Sequence, residues 1–209
     1  MDLFSYLLSL KKAGGGGSGG DIDWSAIGYS GTPQIIIDGY NYALDVKNNW
    51  TDDTNLASEF ADNKNLVFFP KVTSTKATTL RQMFDRCINL IYCDFTDFNI
   101  SAVTRMDSMF SKCYSLKELD LSSFTSEVLT RTNQMFNYCL SLNKIDMRNM
   151  DFTILTNFDS MFGFASEAYV PANCLIIVKD DTQKSWFNTN FSRMTNVKTV
   201  AEYESSLNN

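Results

Sequence analysis

The chain of 209 residues contains no histidine. That absence removes Ser-His-Asp and Cys-His nucleophile systems, HExxH metalloprotease centres and every zinc site that needs an imidazole. Positive charge is also short: 18 lysines and arginines stand against 24 aspartates and glutamates, for a net charge of −6. A chain that is negative overall offers little to a phosphate backbone or an anionic lipid surface, so nucleic acid and membrane are not expected partners. Apolar runs are brief, and none approaches the roughly 18 residues of a membrane span. The longest stretch at the start, residues 3–10, follows Asp2 where a secretory leader carries positive charge, and no small-residue cleavage motif comes after it. Classical secretion is therefore not expected. Cysteine is scarce and odd in number, at 87, 93, 113, 139 and 174, with no Cys-x-x-Cys pair. A complete disulfide framework and a four-thiolate metal site both lack their spacing, and no metal or cofactor is expected. What remains is ordinary globular composition, 44% apolar and 20% charged, which argues against wholesale disorder.

Glycine is concentrated in one place. Six of the ten glycines fall in residues 14–20, Gly-Gly-Gly-Gly-Ser-Gly-Gly, a flexible tether with no side chains to pack. Ahead of it, Leu3, Phe4, Leu7 and Leu8 form an apolar stripe before Lys11 and Lys12. A helix of that length is marginal alone in water, so these residues read as an anchor that docks on a partner surface. The other reading is a fusion remnant with its linker. Residues 21–31 look irregular, with Trp24 and Tyr29 as packing anchors. Thr32-Pro33 then predicts a helix start, continued by Ile36, Ile37, Tyr40, Ala43, Leu44 and Lys47 to near Trp50. Asp52 or Asp53 could cap a second short helix through Leu56 and Phe60.

Beyond this point the chain is periodic. Met83-Phe84, Met109-Phe110, Met135-Phe136 and Met161-Phe162 recur every 26 residues. Thr78, Thr104, Thr130 and Thr156 keep the same period, as do Cys87, Cys113 and Cys139, with Ala165 in the fourth place. Leu90, Leu116 and Leu142 form another column, and Asp94, Asp120 and Asp146 a fifth. A degenerate earlier copy surrounds Phe60, displaced by 24. Such a period is the signature of a stacked repeat of leucine-rich type. Val103, Met106, Phe110 and Cys113 lie at spacings of three and four, which predicts a short helix with Thr104 as N-cap and Asp107 as capping-box partner. Asn133 and Asp159 take that place in later copies, and Arg81 in the first. Leu116, Leu119 and Leu121 then alternate as a short strand does, matched by Leu90, Cys93, Phe95 and by Leu142, Ile145, Met147. After the repeats, residues 174–178 read as a strand, Asp181 caps a helix bearing Trp186, Phe187 and Phe191, and residues 197–200 form a last strand.

The segment VTRMDSMFSKCYSLKELDLSSF resembles the 26-residue leucine-rich repeats of the BspA-like family of bacterial surface proteins, also found in mycoplasma lipoproteins. The likeness covers about residues 56–168 through its MF…C…L…LDL…F pattern. It implies a solenoid and a role in adhesion or protein recognition, and no catalytic residues. The apolar leader with its glycine run also resembles the beginnings of structural proteins of phages that infect gut bacteria. The expected fold is therefore α/β: a right-handed solenoid of short parallel strands and short helices, capped at both ends. Its expected parts are an anchor peptide (1–13), a linker (14–20), an N-terminal cap (21–62), the repeats (63–168) and a C-terminal cap (169–209).

Candidate functional residues lie on the strands. Tyr92, Thr96, Glu118, Ser122, Lys144 and Arg148 are expected to point outward and differ from copy to copy, as a recognition surface does, although a solvated sheet face would also leave them free to vary. Between them, Asp94, Asp120 and Asp146 could line up to bind a cation such as calcium, or accept hydrogen bonds from the amides of the following turn. The cysteine column is read as core packing, with metal or redox chemistry as the alternative. Carboxylate-only chemistry survives the lack of histidine, but needs two acids facing each other roughly 5–9.5 Å apart, and a single line of aspartates is poor geometry for that. The expectation is a non-enzymatic adhesion module on the outside of a virion, at the tail or baseplate, that recognises a protein or glycan on a bacterial surface. Leu3, Phe4, Leu7 and Leu8 would seat it on a phage structural protein. A bacterial cell-surface adhesin, or an intracellular interaction scaffold, is the alternative.

Overall fold

The computed structural model describes residues 34–37, 40–43, 49–50, 54–64, 66, 68–69, 73–74, 76–96, 98–163 and 170–208. The anchor residues Leu3, Phe4, Leu7 and Leu8, the glycine tether, the anchors Trp24 and Tyr29, and Ala165 lie outside them. The elements in chain order are β1 (Gln34–Ile37), β2 (Tyr40–Ala43), β3 (Asn49–Trp50), β4 (Phe68–Phe69), β5 (Thr73–Ser74), β6 (Tyr92–Cys93), β7 (Glu118–Asp120), β8 (Lys144–Asp146), β9 (Leu175–Val178), α1 (Asp181–Asn190), β10 (Val197–Thr199) and α2 (Val200–Leu207). The architecture is α/β. Its largest sheet has four strands in the order β10-β9-β8-β7, every pair parallel. β3 pairs in parallel with β5, and β4 with β6.

The strands fall where the Leu-x-x-Leu-x-Leu alternation puts them. In the register of β7 and β8, Leu119 faces Ile145, and in that of β8 and β9, Ile145 faces Ile176. All three side chains are buried. This matches the expected strand at 174–178, and the last strand and the helix bearing Trp186 are also present; Asp180 rather than Asp181 caps that helix, accepting from Gln183 N–H.

The repeats do not form helices. An α-helix requires each amide to reach the carbonyl four residues back, and here the amides alternate between two other partners. Those of Met83, Asp85 and Cys87 donate three residues back, to Leu80, Gln82 and Phe84. Those of Leu80, Gln82, Phe84 and Arg86 donate across to Arg105, Asp107, Met109 and Ser111 of the next repeat at 2.8–2.9 Å. The pattern recurs from Met106, Ser108, Phe110 and Lys112 to Arg131, Asn133, Met135 and Asn137. Each segment is thus a run of overlapping turns, hydrogen-bonded along its length to its neighbour. The turns need left-handed residues in third position, and Gln82, Arg86, Ser108, Lys112, Gln134 and Tyr138 all have φ between 56° and 61° or, for Ser108, 55°. A non-glycine residue pays about 1–2 kcal/mol for that conformation, which the cross-repeat bonds must offset. Parallel bridges Asn55–Thr79–Arg105–Arg131–Asn157 run along the same ladder.

The columns serve this stacking. Phe60, Phe84, Phe110, Phe136 and Phe162 form a continuous file of rings, with successive centroids 5.5, 5.5, 5.9 and 5.3 Å apart. The copy displaced by 24 residues therefore joins the file through Phe60. The threonines are not N-caps: Thr78, Thr104, Thr130 and Thr156 each donate both amide and hydroxyl to the carbonyl of the previous threonine, Thr54 for the first. Nor is Asp107 a capping-box partner. It is buried and takes Arg105 Nε at 2.7 Å and Arg131 Nε at 3.3 Å.

At the C-terminal end, α1 covers the aromatic file: the Phe162 ring lies 5.4 Å from Phe187 and 5.1 Å from Phe191, and Phe158 lies 5.0 Å from Trp186. Gln183, buried, pins the helix by accepting from Phe152 N–H and donating to Asp151. At the other end, the described residues of the stretch Thr32–Trp50, where the spacing predicts a helix, are strands. β1 and β2 pair antiparallel with Ile37 opposite Tyr40, Asp38-Gly39 standing between them in the sequence, and Trp50 belongs to β3. An Asp-Gly pair between apolar runs is a strong hairpin signal, and it outweighs the helical spacing. The short helix proposed through Leu56 and Phe60 is likewise replaced by turns, since Ser58, Phe60 and Asp62 donate to Arg81, Met83 and Asp85.

Candidate recognition face

The strands place the candidate residues along one line, yet not all on an open surface. Glu118 lies opposite Lys144 and Asp120 opposite Asp146 in the β7–β8 register. Thr96 and Asp120 are exposed, and Glu118, Ser122, Lys144 and Arg148 are half-buried. Tyr92, Asp94 and Asp146, expected to point outward, are buried. Burial, with Asp94 close by, pushes the Tyr92 phenol well above its ordinary range.

The aspartates hold the bend after each strand. Asp94 Oδ1 accepts from the Thr96 amide at 3.0 Å, Asp120 Oδ1 from the Ser122 amide at 2.9 Å, and Asp146 Oδ1 from the Arg148 amide at 3.2 Å. This is the turn-forming role rather than the cation-binding one. Like charges paired across strands repel, and Asp120 opposite Asp146 is relieved by Arg148. Its guanidinium makes bonds of 2.7–3.1 Å to both Asp146 oxygens, and that bond raises the Arg148 pKa further.

The two basic candidates are covered by an element the sequence reading missed. α2 brings Tyr203 Oη to 3.1 Å from Lys144 Nζ and Glu204 to 3.5 Å from Arg148. Its start was legible, because Thr199 and Glu202 form a capping box. The open part of the face is consequently the stretch around Thr96, Glu118, Asp120 and Ser122. Beside it, a cavity of about 280 Å³ is lined by Asp94, Thr96, Asp120, Ser122 and Ser123.

The cysteines are all free and buried. Cys87, Cys113 and Cys139 Sγ donate to the carbonyls of Phe60, Phe84 and Phe110 at 3.0–3.2 Å, one repeat back. Burial pushes the Cys87 and Cys174 thiols up to about 12, and those of Cys93, Cys113 and Cys139 also well up. Thiolate chemistry near neutral pH is foreclosed.

Against known families, residues 54–173, more than half of the chain, match the family described as "Mycoplasma protein of unknown function, DUF285". The chain belongs to this family. Its match spans the BspA-like repeats described above, from the Thr54 rung to the approach to β9. No curated protein and no solved structure matches the chain. Among the described residues of this DUF285 protein, no cluster of acidic and thiol side chains could hold a metal ion, and no helix is long and apolar enough to cross a membrane.

Proposed function

We propose that the protein is a non-enzymatic binding module: a leucine-rich-repeat solenoid, capped at both ends, that recognises a protein or glycan on a bacterial surface through the open part of its strand face. One observation carries this reading. Positions fixed from repeat to repeat are consumed by the frame, in the Phe file, the Thr rungs and the thiol–carbonyl bonds. Of the positions that vary, Thr96 is exposed, and Glu118 and Ser122 remain partly open to solvent. The aspartates on this face are occupied by turn amides, which argues against the weaker alternative of a carboxylate-based glycan-active enzyme.

The module sits on the exterior of a virion, at the tail or baseplate, held through Leu3, Phe4, Leu7 and Leu8 on a phage structural protein with residues 14–20 as its tether. A bacterial cell-surface adhesin is the second reading, favoured by a family description that names Mycoplasma; an intracellular scaffold is the third. The test is binding of the labelled full chain to a panel of bacterial envelopes. The double variant Glu118→Arg, Ser122→Arg should lose binding while melting normally. Unchanged binding would move recognition off this face, and release of reducing ends from envelope glycans would make the protein an enzyme.

A further inference from the structure

The turn segments are joined by one repeated device: amides at alternate positions donate to the next segment. Leu80, Gln82 and Phe84 do so, then Met106, Ser108 and Phe110, then Thr132, Gln134 and Phe136. The equivalent residues of the last segment are Phe158, Ser160 and Phe162. Their local geometry is kept, since Met161 N–H reaches Phe158 at 3.1 Å, Gly163 N–H reaches Ser160 at 2.9 Å, and Ser160 has φ 52°. Yet among the described residues no further turn segment of this kind is stacked on them, and these three amides donate to no acceptor. The contacts of α1 with this segment are made by rings, Trp186 against Phe158 and Phe187 against Phe162. Beside that row lies a cavity of about 440 Å³, whose lining includes Asp159, Ser160, Phe162, Asn190, Phe191 and Met194.

We propose that this end of the ladder docks an extended polypeptide segment of another protein, which adds its backbone to the row of Phe158, Ser160 and Phe162. Three donors at every second residue call for acceptors at every second residue, which is the carbonyl spacing of an extended chain and not of a sugar or a phosphate. A second copy is the wrong occupant. Its first segment carries Leu56 and Phe60, buried at its own end, and Trp186 and Phe191 already stand against the rings those side chains would meet. The cavity beside the row, lined by Ser160, Phe162 and Phe191, calls for a strand with small and apolar side chains. This site lies at the end of the ladder and goes beyond the strand face proposed above.

The experiment titrates isotope-labelled full chain with the acetylated, amidated hexapeptide Ser-Val-Ser-Val-Ser-Val, an extended-biased backbone probe. Main-chain bonds alone predict saturable shifts of the Phe158, Ser160 and Phe162 amides at peptide on the order of millimolar, with exchange of those amides slowed about tenfold. Ser192→Trp, at an exposed position lining the cavity, should abolish the shifts without changing Tm. The proposal is overturned if those amides stay unmoved, or if the mirror-image peptide moves them equally. It is also overturned if concentrating the protein alone produces the same shifts, because the occupant is then a second copy.

Discussion

Consider a titration from pH 8 to pH 11. All five cysteines are buried and free, and burial raises every one of their thiols above the ordinary value of 9.0, Cys87 and Cys174 to about 12. A group whose folded pKa lies above its unfolded value contributes stability that is fully present below the unfolded pKa and is lost as pH rises through the folded one. Between the two, the unfolded chain has released a proton that the native state keeps. Each thiol then costs about 1.4 kcal/mol per pH unit, and five together cost about 7 kcal/mol per unit. Against a domain stability of about 5–15 kcal/mol, the protein should unfold within one or two units above about pH 9.5. Urea denaturation at half-unit steps measures the slope. Cys113→Ala removes one thiol together with its bond to the Phe84 carbonyl. It should lose about 1–2 kcal/mol at pH 7, yet show an alkaline slope shallower than the parent by about 1.4 kcal/mol per unit. Identical slopes, or rapid thiol labelling of the native protein at pH 8, would refute the buried thiol ladder.

Other outcomes follow from the same structure. Ser108→Gly should raise stability by about 1 kcal/mol, since glycine takes the left-handed conformation freely; a loss by urea melt would mean that Ser108 is not left-handed. Phe110→Ala interrupts the ring file at its centre and should cost about 3–5 kcal/mol in the same assay. Asp151 is driven upward by partial burial, but bonds from Thr153 and Gln183 outweigh that and hold its carboxyl below the usual range. Its contribution is therefore present above about pH 4 and lost as pH falls through the folded value. Asp151→Asn should lower the neutral plateau of a Tm-versus-pH curve slightly and flatten its acid limb below about pH 4. On the proposed virion role, deleting residues 1–20 should leave Tm unchanged and abolish incorporation into the phage particle, read by sedimentation of assembled particles. Normal incorporation would make the leader a passenger.

The period and its columns were legible because each column has one physical job in every repeat. The strands were legible for the same reason: Leu119 and Ile145 alternate with polar neighbours. The turn segments were not, because helix and overlapping turns place Met106, Phe110 and Cys113 on the same inward side. The signal that separates them is a left-handed residue, and the chain puts Ser108 and Lys112 there instead of the glycine that would have disclosed it. The β1–β2 hairpin, signalled by the Asp-Gly pair in the sequence, and the capping box of Thr199 and Glu202 were both readable, the first masked by helical spacing, the second by the short run that follows. The recognition face was legible only in part. Thr96 is exposed and Glu118 and Ser122 are half-buried, but alternation could not reveal that α2 would return over Lys144 and Arg148, 59 residues separating Lys144 from Tyr203. Tyr92 is buried beside Asp94, a tertiary outcome that no period-two pattern contains.

The central claim is that a fixed internal ladder carries a variable outer face that binds. Hydrogen-exchange footprinting of the full chain, free and mixed with the bacterial envelopes of the proposed binding panel, tests this most directly. Added protection should concentrate in residues 94–96 and 118–123, around the open strand face, with the turn segments near Ser108 and Gln134 unchanged. Protection centred on those turn segments, with the strand face exchanging as in the free protein, would contradict it.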